Sequence, residues 1–224
     1  MILTREALQS DTYLQSFSDL PGQPRWSRQR ILASMHAALA QRPPGQPVWL
    51  FAYGSLIWNP LFHFAEREHA TLQGWQRRFC MRLHAGRGSQ QQPGRMLALD
   101  RGGHCTGVAF RLAEQGLRDE LALVWIREMP YGSYRIIWGE LALADGRSVR
   151  ALAFVANPAQ CQYEADASIK TVAPLIAHAQ GALGRNADYL LQLEETLATH
   201  DLHDPYVTAL ATAVRAERNG GSRR

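Results

Sequence analysis

One carboxylate in this chain falls where a carboxylate does not ordinarily belong. Between Gln115 and Glu128 the apolar pattern takes a helical period, with Leu117, Leu121 and Val124 at i, i+4 and i+7 on one face. Glu128 follows Val124 by one further turn, on that same face. A carboxylate on a buried face must be paired, hydrogen-bonded or functional. The last turn before Pro130 also brings the negative end of the helix dipole. Both effects raise its pKa, which suits a glutamate that moves protons near neutral pH. A structural salt bridge, to Arg127 or Arg78, is the competing account of the same position.

The second candidate is the loop Tyr53-Gly54-Ser55-Leu56-Ile57-Trp58, which directly follows the apolar run Val48–Tyr53. Gly54 allows close approach of the backbone to a bound group, and successive free amides in such a turn make a cradle for anions or oxyanions. A plain Gly-Ser turn is the alternative. Ser55 lies outside any G-x-S-x-G elbow, and the chain has neither a Walker A pattern nor a dinucleotide-binding fingerprint. His200, Asp201, His203 and Asp204 cluster in sequence without the ligand spacing of a zinc site, and Asp204 before Pro205 reads as a helix cap. No metal site is expected. Cys80, among Arg77, Arg78 and Arg82, reads as an apolar-strand cysteine rather than a nucleophile.

These residues need a scaffold, and 224 residues with 46% hydrophobic and 20% charged side chains can supply one. The net charge of +4 suits acidic small molecules; the basic end, residues 219–224, reads as a disordered tail, and no nucleic-acid recognition motif accompanies it. Three cysteines, with no C-x-x-C pair, point to a reducing compartment. The N-terminus lacks an apolar signal region and no apolar run reaches membrane-spanning length, so a cytoplasmic protein without membrane or nucleic-acid partners is expected.

Residues 1–24 read as short polar, turn-prone pieces, followed by an amphipathic helix over Arg28–Gln41 that Pro43-Pro44-Gly45 stops. Residues 1–47 thus form a helical extension before a main domain spanning 48–218. Strands are expected at Val48–Tyr53, Leu72–Arg82, Arg95–Leu99 and Cys105–Leu112, with a turn at Asp100–Gly103. Tyr134–Ala144 and Ser148–Ala156 flank Asp145-Gly146, a strong hairpin signal. Helices follow over Ser168–Gln180, from a cap at Asn186, and from Pro205 to Val214. Strands in mid-chain with helices at the ends predict an α+β fold.

The run VWLFAYGSLIWNP resembles the opening motif of the ChaC-like γ-glutamylcyclotransferases. Gly74-Trp75, Gly86-Arg87-Gly88, Gly107-Val108-Ala109-Phe110, Arg127-Glu128, Tyr134 and Asn186-Ala187-Asp188-Tyr189-Leu190 follow in that family's order. The resemblance implies an α+β fold around a compact mixed β-barrel, and a lyase that cleaves glutathione to 5-oxoproline and cysteinylglycine. It also marks Glu128 as the catalytic glutamate. The reaction needs no metal or organic cofactor, since the substrate's own α-amine attacks its γ-carbonyl. Tyr53–Trp58 then hold the substrate, Arg87, Arg78 or Arg82 can take its glycine carboxylate, and Tyr134 can hydrogen-bond near Glu128. Two alternatives stay open: a non-enzymatic regulator of cation transport, and a cyclotransferase for other γ-glutamyl amines or dipeptides. Oligomeric state is not legible.

Overall fold

The computed structural model of the chain describes residues 3–20 and 22–221. The polar N-terminal stretch contains two short helices. In α1 (Arg5–Gln9) Thr4 caps the first turn by accepting from the Ala7 amide at 3.2 Å, and α2 (Thr12–Gln15) follows. Helix α3 (Arg28–Leu39), capped by Ser27, buries Ile31, Met35 and Ala38 on one face, as expected of an amphipathic helix.

Five strands close a barrel in the order β1-β3-β2-β4-β5. Strand β1 (Trp49–Ala52) is at most 1% exposed at every residue, which is why its sequence is apolar without alternation. It pairs antiparallel with β3 (Gly94–Arg111) and parallel with β5 (Ser148–Ala156), so the barrel is mixed. Strand β2 (Glu66–Leu83) pairs antiparallel with β4 (Tyr134–Leu143), and β4 with β5 across the Asp145-Gly146 turn. Flanking helices complete the expected α+β fold.

Two expectations about the strands are corrected. Asp100–Gly103 is no turn: β3 runs unbroken from Gly94 to Arg111, with Gly102 and Gly103 at φ values of 117° and 54° inside it. Glycine accommodates that conformation without a Cβ clash, so the chain keeps its direction where Asp-Arg-Gly-Gly suggests reversal. Strand β2 likewise begins at Glu66, before the expected Leu72.

The chain divides into two compact units. One comprises the described residues up to Trp75 and Gly102–Asn157; it holds α1–α3, β1, β4, β5 and helix α4 (Leu117–Glu128). The other comprises residues 76–101 and the described residues from 158 onward, with α5 (Ile169–His178), the short pair β6 (Gln180–Gly181) and β7 (Gly184–Arg185), α6 (Asn186–Thr199) and α7 (Pro205–Gly221). Asn186 does not cap α6 as expected. Its fully buried amide instead accepts from the Arg95 N–H at 2.7 Å and donates to the Arg95 carbonyl at 2.9 Å. Asp204 does cap α7, accepting from the Val207 amide at 3.1 Å. Helix α7 continues past Val214 to Gly221, so the expected tail is helical in its first residues; Ser222, Arg223 and Arg224 lie outside the described residues. No helix among the described residues is long and apolar enough to cross a membrane.

Candidate active site

Glu128 is the final residue of α4, a helix whose second half is buried on all sides: Leu123, Val124, Trp125 and Ile126 are at most 4% exposed. The Glu128 side chain retains 18% exposure, and Arg127 beside it 6%. Arg127 Nε stands 3.2 Å from Glu128 Oε1. The other carboxylate oxygen has no hydrogen-bond partner among the described residues. Burial pushes the Glu128 carboxyl above its ordinary range, and the Arg127 charge opposes this without reversing it. The carboxyl is thus held above its ordinary range, the direction that its place on the buried face suggested, while part of the side chain stays exposed.

The same guanidinium reaches the loop after β1. Arg127 Nη2 donates to Ser55 Oγ at 2.8 Å and Nη1 donates to the Asn59 carbonyl. Residues 54–59 form a single helical turn, with the Ile57 amide on the Gly54 carbonyl at 2.9 Å and the Asn59 amide on the Ser55 carbonyl at 3.0 Å. At the start of such a turn the first amides have no acceptor within it. Those of Gly54, Ser55 and Leu56 have none among the described residues. The free amides expected of a cradle are thus present, arranged as the start of a helical turn. Leu56 and Ile57 are buried below it and Trp58 is half-buried.

Tyr53 and Tyr134 meet at Phe154 of β5. The Tyr53 hydroxyl donates to the Phe154 carbonyl at 2.8 Å, and the Tyr134 ring stands edge-on to the Phe154 ring at 6.1 Å. Trp125, one turn before Glu128, packs on the same ring at 4.9 Å. Arg87 belongs to the other unit, where it donates to the Arg185 carbonyl at 3.0 Å and lies over the Tyr189 ring at 5.9 Å. There Arg82 pairs with Glu164, and Arg78 lies over Tyr206 at 4.8 Å. Burial pushes the Cys80 thiol up to about 12, which makes it a poor nucleophile. Asp204, the cap residue of the His/Asp cluster, pairs with Arg77 at 3.0 Å.

Arg127 is the site residue that the periodic pattern missed. One residue from Glu128 is about 100° around a helix, so a single-face reading sends Arg127 toward solvent. The signal was the unbroken run Leu123-Val124-Trp125-Ile126, apolar on every face, which marks a helix end enclosed all round.

The family model described as ChaC-like protein matches residues 48–217. The chain belongs to the ChaC-like family. A glutathione-specific γ-glutamylcyclotransferase of Escherichia coli (strain K12) is 46% identical over 214 residues, covering 96% of this chain and 93% of that protein. γ-Glutamylcyclotransferase 2-3 of Arabidopsis thaliana is 32% identical, covering 75% of this chain and 88% of that protein. The crystal structure of a yeast γ-glutamyl cyclotransferase specific to glutathione superposes with a TM-score of 0.70 over 78% of this chain and 98% of that one; at 21% identity it speaks for the fold alone. Within this ChaC-like chain, β1, the 54–59 turn and α4 all lie inside the matched span, whereas α1, α2 and α3 precede it.

Proposed function

We propose that this ChaC-like chain is a glutathione-specific γ-glutamylcyclotransferase with Glu128 as its general acid and base. The α-amine nitrogen of the γ-glutamyl residue attacks the γ-carbonyl carbon, the bond to the cysteine nitrogen breaks, and 5-oxoproline and cysteinylglycine result. One proton leaves the attacking amine and one joins the departing amine, so no water, metal or redox partner is consumed. Holding the chain folded for ring closure supplies much of the rate, since intramolecular attack has a high effective molarity.

The observation that carries the reading is the state of Glu128, shielded by burial, paired on one oxygen only, and tied through Arg127 to Ser55. A carboxylate of raised pKa accepts the amine's proton and returns it to the leaving group. The free amides of Gly54, Ser55 and Leu56 suit an α-carboxylate or the developing oxyanion. Tyr53, Ile57, Trp58 and Tyr134 would wall the γ-glutamyl group. We take residues 48–218 as the catalytic domain. Three cysteines without a disulfide suit a reducing compartment, in keeping with a cytosolic enzyme.

The test is turnover of glutathione beside γ-glutamyl dipeptides and γ-glutamyl amines, with 5-oxoproline and cysteinylglycine both quantified. Preference for glutathione with equimolar products is the expected result. Equal turnover of γ-glutamylalanine would assign the sibling specificity, and no 5-oxoproline from any substrate would return the chain to a non-enzymatic role.

A further inference from the structure

The described residues before Val48 lie outside the family match, yet several of them meet the residues around Glu128. The Tyr13 hydroxyl, on a side chain 7% exposed, donates to the Arg127 carbonyl at 3.2 Å. The Trp26 amide donates to the Pro130 carbonyl at 2.7 Å. The Tyr131 hydroxyl donates to the Ser18 carbonyl at 2.7 Å, while its ring meets Phe17 edge-on at 5.7 Å. A Cβ on Gly132 would stand 2.0 Å from the Trp26 indole, so the N-terminal segment fills the space that a side chain there would need. The chain is thus held at the Arg127 and Pro130 carbonyls and the Tyr131 side chain, and closed in at Gly132.

A second grip acts at the first turn of α4. Arg5 of α1 binds Glu120 of α4 through two hydrogen bonds of 2.7 Å, and also donates to the Leu61 carbonyl at 3.2 Å. Glu120 in turn accepts from the His63 amide at 2.8 Å. Arg5 therefore joins α4 to the segment that continues from the 54–59 turn. Leu61 holds a φ of 57°, a conformation costly for a branched side chain and kept only where its surroundings enforce it.

We infer that the segment from Arg5 to Trp26 is a brace for the reaction, in which Tyr13 is a positioning residue that acts on Glu128 through the Arg127 carbonyl. The inference rests on the catalytic reading of Glu128. A glutamate at a helix end has the last turn's freedom to fray, and proton transfer needs heavy atoms within hydrogen-bond reach. The hydroxyl fixes the peptide group from which Glu128 begins; burial first, and then the nearby negative charge of Glu128, disfavour its ionisation, so it stays a donor. Core packing does not require this geometry, because a phenylalanine would fill the same apolar space.

The test uses Tyr13→Phe in the full chain, which keeps the ring edge-on to Phe17 and removes only the hydroxyl. With glutathione, kcat should fall roughly 10-fold while KM stays within about twofold, the signature of misplacement at the reacting centre. Melting should drop by no more than about 4 °C, as for one hydrogen bond in a chain of this size. In the Glu128→Gln background, adding Tyr13→Phe should cost nothing further in residual turnover. Arg5→Ala should lower kcat and Arg5→Lys should restore part of it. Parental kcat in Tyr13→Phe, or the same loss with and without Glu128, would overturn the brace. Parental turnover in Glu128→Gln alone would instead overturn the catalytic reading on which it rests.

Discussion

Two carboxylate–arginine pairs in this chain set the same groups in opposite surroundings. In the pair Arg77–Asp204, Asp204 opens α7, where the helix dipole favours negative charge, and both its oxygens are engaged: one by Arg77 at 3.0 Å, the other by the Val207 amide at 3.1 Å. In the pair Arg127–Glu128, Glu128 closes α4, where the dipole disfavours negative charge, and one oxygen has only Arg127 Nε at 3.2 Å. Arg77 and Arg127 are comparably enclosed, at 1% and 6% side-chain exposure, so burial of the arginine does not separate the pairs. What separates them is how fully the carboxylate is satisfied. A fully engaged carboxylate holds structure; a half-engaged one at the wrong helix end keeps its proton chemistry available.

Substitution should divide the pairs cleanly. Glu128→Gln keeps size and hydrogen-bonding capacity but removes the base, so turnover of glutathione should fall roughly 10²–10⁴-fold with folding intact. A folded variant of near-parental turnover would make Arg127–Glu128 as structural as the other pair. Asp204→Ala should act in the reverse sense. It takes the carboxylate from a buried guanidinium and the cap from α7, at a cost of about 3 kcal/mol. Melting should therefore fall by about 9 °C, while turnover per folded molecule holds. A loss of turnover at unchanged melting temperature would contradict that assignment.

Half of this contrast is legible in the amino-acid sequence alone. Asp204 before Pro205 announces a capped helix, and Glu128 one turn after Val124 announces a buried carboxylate, because both are statements about a single helix and its period. The Asp145-Gly146 hairpin is legible for the same reason: turn chemistry is local. What escapes depends on distant partners. Asn186 looks like a cap, but its amide is recruited by Arg95, remote in sequence. Asp100–Gly103 looks like a reversal, but pairing along β3 carries the strand through it. Arg127 is legible as a pairing partner for Glu128, but only the fold brings Ser55, Asn59 and Tyr13 to it. Polar N-terminal residues such as Arg5 and Tyr13 carry no periodic signal at all, since their partners are on α4.

The smallest effect discriminates most finely, because it reads the protonation of Glu128 rather than its chemistry. Burial raises the folded pKa of Glu128 above the ordinary value of 4.5 that the unfolded chain should show. Below 4.5 the group is neutral in both states, and Glu128→Gln should melt with the parent. As the pH rises past 4.5, the unfolded parent loses its proton first while the folded parent retains it. The unfolded state then binds fewer protons, and the parent loses stability with rising pH until the folded pKa is passed. The glutamine variant has no proton to lose. Its melting temperature should therefore pull ahead of the parent's from pH 4.5 upward and then level off. The lead amounts to about 1.4 kcal/mol, or about 4 °C, for each tenfold gain in proton affinity on folding. If the Arg127 ion pair outweighed burial instead, the folded pKa would be depressed and the variant would fall behind over the pH range above that depressed value. A variant that trails the parent at neutral pH and meets it in acid would place Arg127–Glu128 with Arg77–Asp204 among the chain's structural pairs.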